Sequence, residues 1–204
     1  LFSSYLGGSG DDAAYVLSLA PSGNILVAGG TASNNFPGNK AGTIGPTFFG
    51  GGIDGFVAEI SNNGASLIRS TYIGTGDGID QVYGIQFDNK GFPYVMGQTT
   101  GTWVNVHAAY FDTDGKQFIA KLQPDLSAYV YSTAFGAPGS TRPNISPTAF
   151  LVDRCENVYV SGWGGFFGNS NNYGSDGTLG LPTTPDAFQS TTDGKDFYFF
   201  VLRK

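Results

Sequence analysis

The chain is poor in the residues that most catalytic chemistry needs. It has one histidine, one cysteine and one methionine among 204 positions, with ten basic and sixteen acidic side chains. A lone Cys155 leaves no internal disulfide framework and no cysteine-rich zinc site. A lone His107 would have to serve any Ser-His-Asp triad by itself. The net charge of −6 argues against a nucleic-acid surface, which needs a basic patch, and against attraction to anionic lipid. No apolar run of about 18 residues occurs, so insertion of a helix into a membrane is not expected. No segment carries a capped 3.6-residue stripe, so long helices are not expected either.

What the chain has in excess is glycine, with 32 residues, and aromatic rings, with 17 Phe, 11 Tyr and 2 Trp. Tight turns between strands that bury rings account for that pairing. One stretch is written three times. Ser22-Gly23-Asn24-Ile25-Leu26-Val27-Ala28-Gly29 returns as Lys90 to Gly97 and again as Cys155 to Gly162. Ser3-Ser4-Tyr5-Leu6-Gly7 matches Ser70 to Gly74 and Ser132 to Gly136, and Phe56 to Ile60 matches Phe118 to Leu122 and Tyr198 to Leu202. Phe48, Tyr110 and Phe188 hold one more shared position. Spacings run from 62 residues (Phe56 to Phe118) to 80 (Phe118 to Tyr198), and the variation falls in loops.

Each period holds four strand-like runs. The first alternates with period two at Tyr15, Leu17 and Leu19, at Tyr83, Ile85 and Phe87, and at Thr148, Phe150 and Val152. A turn leads into the second, so the first two form a hairpin. The pattern predicts an all-β chain of three four-stranded antiparallel β-propeller blades, part of a larger propeller. The repeats span residues 1–66, 67–127 and 128–204. Leu1–Leu6 is expected as the last strand of a preceding blade, and the third repeat lacks its own last strand. The chain begins in mid-pattern, which suggests mature material or an excised segment, and three blades are not expected to close alone.

These markers resemble the SBBP-type β-propeller repeat family. The likeness rests on Leu6-Gly7-Gly8-Ser9-Gly10-Asp11-Asp12, Asp153 to Gly162, Leu181 to Phe188, and Asp54 to Ile60. Thr141 to Asp153 and Val158 to Gly165 further resemble large Bacteroidetes surface proteins, exported by type IX secretion and often gliding-motility-associated. The resemblance implies a secreted or cell-surface location and a multidomain parent. Partners would then be the remaining blades or domains of that parent, or another surface protein. It implies no activity, since the family has no catalytic motif to carry over. The middle repeat departs most, with Gly91-Phe92 and Trp103–His107 replacing the usual turn and Phe-Pro loop.

The candidate functional residues lie in loops between second and third strands, above all Trp163–Pro185. Trp163, Phe166, Phe167, Asn171 and Tyr173, with Trp103 from the middle repeat, combine ring area with amide hydrogen bonding, as binding loops do. They suit protein or glycan contacts. Packing of Trp103 and Trp163 onto the blade rim is the plainer reading. Asp11, Asp12, Asp77, Asp80 and Asp112-Thr113-Asp114-Gly115 supply oxygens of the kind calcium takes, but capping of their own turns explains them better. Catalytic and cofactor-binding residues are not expected. The function expected is a structural or adhesive, non-enzymatic module. The alternative is a propeller-based polysaccharide lyase or glycoside hydrolase.

Overall fold

The computed structural model describes residues 2–164 and 177–204. Among them there are eleven strands and no helix. Blade 1 holds β1 (Asp12–Leu19), β2 (Ile25–Thr31), β3 (Asp54–Ile60) and β4 (Leu67–Ile73) in that order. Blade 2 repeats it with β5 (Asp80–Phe87), β6 (Pro93–Thr99), β7 (Gln117–Leu122) and β8 (Tyr129–Phe135). Blade 3 has only β9 (Ser146–Val152), β10 (Val158–Trp163) and β11 (Phe197–Leu202). Every pairing is antiparallel. These are the consecutive blades of an open propeller.

The sequence reading differs from the structure in two places. Phe2–Gly7 forms no strand, because no third strand lies beside it to pair with. The alternation of each inner strand is also broken at one residue. The register slips between Ala14 and Val16, between Val82 and Gly84, and between Pro147 and Ala149. Tyr15, Tyr83 and Thr148 are therefore bulged, at the same step of each blade.

Two cores lie between the blades. Leu26, Ala28, Val57 and Ile73 of blade 1 meet Ile85, Val95, Phe118 and Ala120 of blade 2. Tyr94, Met96, Ile119 and Phe135 on the other side of blade 2 meet Val152, Val158 and Val160 of blade 3. Blade 2 is thus buried on both faces, and apolar side chains point both ways from its central strands β6 and β7.

The connections between second and third strands turn back along the fourth. In blade 1, Ser70 donates its N–H to Asn39 O at 3.0 Å, and Tyr72 donates to Gly45 O at 3.0 Å. In blade 2, Val106 and Ser132 exchange both backbone bonds at 2.8 and 2.9 Å, and the Ala134 N–H reaches Asn105 Oδ1 at 2.8 Å. These loops give partners to edges that would otherwise invite another chain. Among the described residues, nothing covers the outer edge of β11.

Blades 2 and 3 are also joined by charge. Lys121 Nζ lies 2.7 Å from Asp88 Oδ2 and 2.8 Å from Glu156 Oε2, and Glu156 comes from the blade 3 hairpin turn. Burial alone would lower the Lys121 pKa, but its bonds to Asp88 and Glu156 more than offset that and raise it. The bond from Lys121 is the main cause that holds Glu156 below its ordinary carboxylate value. Glu156 sits at φ 66°, the turn position held by Gly23 and Gly91 in the other blades. A non-glycine residue there costs on the order of 1 kcal/mol, which the ion pair offsets. Lys121→Ala leaves the buried Asp88 carboxylate without its cation, while Glu156 keeps Lys90 at 3.3 Å and Lys204 at 2.7 Å. The expected loss is about 3–5 kcal/mol, read as a lower urea midpoint at pH 7.

Candidate functional site

The bulges build a polar constellation at the inner strands of blades 1 and 2. An extra residue in one strand re-aims its side chain. Tyr15 and Tyr83 are turned so that their rings stack across neighbouring blades at 4.9 Å and 14°. Around them, Tyr83 Oη donates to Gln81 Oε1 at 2.6 Å, and Gln98 Nε2 donates to the same oxygen at 3.0 Å. Gln81 Nε2 then reaches Tyr15 Oη at 3.0 Å. The set consists of two phenols and two amides. A cavity of about 300 Å³ lies alongside, walled by Tyr83, Gln86, Met96, Thr148 and Phe150.

Trp163 enters this region by register. It pairs with Ser146 where Gln98 pairs with Gln81, so it takes the Gln98 position in blade 3, one step from the bulged Thr148. Phe166, Phe167, Asn171 and Tyr173 lie outside the described residues. Trp103 packs within blade 2. It is 6% exposed, stacks on Phe118 at 3.6 Å and donates its indole N–H to Ser132 Oγ at 2.6 Å. Phe36 does the same work in blade 1 against Phe56. The indole walls a second cavity, of about 350 Å³, with Ile44, Phe49, Val104 and Tyr129. Its lining is largely apolar.

The groups that could carry acid–base or nucleophilic chemistry are dispersed. His107 is exposed on the loop beside β8, its Nδ1 3.2 Å from Val130 O. Cys155 is exposed in a hairpin turn, its backbone N–H bonded to Asp153 Oδ1. The acids considered for calcium are largely occupied by their own loops. Asp12 accepts from Gly8 N–H, Thr31 Oγ1 and Ser33 Oγ, and Asp80 from Thr75 N–H. Asp112 accepts from Asp114 N–H, and Asp114 from Gly139 N–H. No group of three or more His, Cys, Asp or Glu able to hold a metal occurs among the described residues.

One acid escaped the sequence reading. Asp54 is fully buried beneath the Gly50–Gly52 turn and accepts from Phe49 N–H, while its other oxygen has no hydrogen-bond partner. Burial is the main cause that pushes its carboxyl up to about 7, against the Phe49 bond, and the nearby Asp80 adds to the rise. A carboxyl near 7 suits a general acid, but one sealed from solvent cannot meet a substrate. Nothing in its one-dimensional context separates it from the other aspartates.

Compared with known proteins, the chain matches no protein-family model and no curated protein.

Two outcomes follow. Trp103→Ala should cost about 3–5 kcal/mol, the range for emptying a buried indole site, and lower the denaturation midpoint. A ring used only for binding would leave that midpoint unchanged. The second outcome concerns pH. An unfolded Asp ionises near 4, whereas folded Asp54 keeps its proton to about 7. Across that window the folded state binds the extra proton, so stability falls as pH rises. Asp80, also raised by burial, acts in the same direction. Glu156 acts oppositely and withdraws its support as pH drops below about 4.3. The melting temperature should therefore peak near pH 5 and decline towards pH 8, and Asp54→Asn should flatten the decline.

Proposed function

We propose that this chain is a non-catalytic module of a secreted or cell-surface bacterial protein, which holds neutral partners, glycan or protein, at the channel end of its blades. The carrying observation is the Tyr15–Gln81–Tyr83–Gln98 network beside the Trp163 register position. Phenol and amide groups donate and accept without charge, and stacked rings offer an apolar face. That combination suits sugar hydroxyls and peptide edges. Two further features favour adhesion over turnover. A glycoside hydrolase needs two reachable carboxyls about 5–9.5 Å apart, and the inner-strand network contains none. The raised acids, Asp54 and Asp80, are buried. The surface location and the SBBP-type and Bacteroidetes assignments are supported by the repeat markers in the sequence.

The test is a neutral-glycan array followed by calorimetry on the best ligand. Wild-type chain should bind without consuming the ligand. Tyr83→Ala and Gln98→Ala should weaken binding at least tenfold, with unchanged far-ultraviolet spectra. Turnover of a polysaccharide, abolished by one Asp or Glu substitution, would establish the enzymatic alternative instead.

A further inference from the structure

We propose that the cavity between blades 1 and 2 binds a small free organic cation with a quaternary ammonium head, held by the rings of Phe49, Trp103 and Tyr129 and by the negative charge of Asp54 and Asp80 behind them. The cavity measures about 350 Å³, within the range that small ligands occupy. It shares no wall residue with the channel-end network, so the two sites are independent.

The walls decide what kind of group fits. Trp103 gives one face to Phe118, and Tyr129 stands against the indole at 66°, with ring centroids 6.0 Å apart. Phe49, 37% exposed, adds a third ring from the blade 1 connection. Rings set at an angle around one space attract a cation through their faces. Ile44 and Val104 add hydrocarbon, and among the described residues no basic side chain lines the space. A metal ion would need a shell of oxygen ligands. A primary ammonium carries three N–H donors that hydrocarbon walls cannot satisfy. A quaternary ammonium needs neither.

Negative charge lies directly behind this lining. Phe49 donates its N–H to Asp54 Oδ2 at 2.5 Å. The Asp80 carboxylate lies against Gly74, where a Cβ would come within 2.6 Å of Oδ2. Its charge reaches the cavity wall, because the Tyr129 phenol is raised by burial and further by Asp80. Both acids are buried, and neither has an ion-pair partner among the described residues. Asp54 Oδ1 has no hydrogen-bond partner either. The fold does not require this pair. At the matching positions of the next joint, Lys116 replaces Asp54 and Asn144 replaces Asp80. Two buried carboxyls without a counter-ion therefore set up a field that a cation in the cavity offsets. The same field repels the phosphate that follows the ammonium in a phospholipid head, which favours the free cation over a membrane surface.

Calorimetry with choline at pH 8, above the value of about 7 at which Asp54 loses its proton, tests this. Choline should bind about tenfold more tightly than the neutral alcohol that has a tert-butyl group in place of its trimethylammonium head. Asp80→Asn should weaken choline about tenfold and leave the alcohol unchanged. Its folding has a precedent in Asn144, which makes the same backbone bond at the next joint. Phe49→Leu, at a half-exposed ring, should also weaken choline alone, and it decides the question if Asp80→Asn unfolds. No binding of choline, equal binding of the alcohol, or full choline affinity in either folded variant would overturn the proposal. Cosedimentation of the chain with phosphatidylcholine vesicles would place the head in a membrane and overturn it too. None of these results touches the glycan-binding test, since the two sites share no residue.

Discussion

A strand at the rim of a sheet carries a row of unpaired N–H and C=O groups, and in water that row invites any extended segment that can reach it. The architecture of this chain is organised around that row. In blades 1 and 2 the loop after the second strand travels outward, bonds to the fourth strand, and returns to begin the third. Such a route needs length, which is why these connections exceed an ordinary turn. It also needs a plug beneath it. Phe36 and Trp103 fill that space, the first tilted against Phe56 and the second stacked on Phe118. Loop length, ring placement and edge protection are therefore one arrangement.

The joint between blades is solved the same way three times with different residues. Asp12 accepts the Gly8 N–H, Asp80 the Thr75 N–H, and Asn144 the Ala137 N–H. Each side chain ties the loop that carries the chain from one blade to the next. An amide serves in the third joint because its oxygen accepts there as a carboxylate oxygen does in the other two. Asn144 uses its remaining donor on Gly177 O at 3.0 Å. The requirement is for an oxygen at a fixed place, with charge incidental.

The blades were legible because their signals are local: a turn residue, a short apolar run, a repeat. Gly23 and Gly91 announce hairpin turns that the structure builds at φ 84° and 85°. The bulges were not legible. Tyr15, Leu17 and Leu19 fit a strict alternation on paper, and a slipped register leaves no trace in composition. The site was missed for that reason, since Gln81 and Gln98 become partners of the tyrosines only once the bulge has turned them. Trp103 packs, as the plainer of its two readings has it, but its partner was not legible. An indole among Thr, Val and Asn fits a binding loop as well as a packed rim, and its stacking partner Phe118 is fifteen residues away, on β7. Asp54 was invisible because burial is a property of the fold.

The third blade departs from its neighbours at informative places. Glu156 replaces a turn glycine and reaches into blade 2, where Lys121 holds it. Trp163 stands where Gln98 stands in blade 2 and Gly30 in blade 1. Phe197, Phe199 and Val201 leave apolar side chains exposed at positions that in blade 1 are Gly55, Val57 and Glu59, with Val57 buried against blade 2. None of these changes disturbs a ladder hydrogen bond, because each alters a side chain and leaves the backbone register intact. They alter what the blade meets: its neighbour, the channel and the surface beyond. A repeat can diverge in this way without losing its fold, since the backbone ladder fixes the scaffold and the side chains on its faces choose the partner.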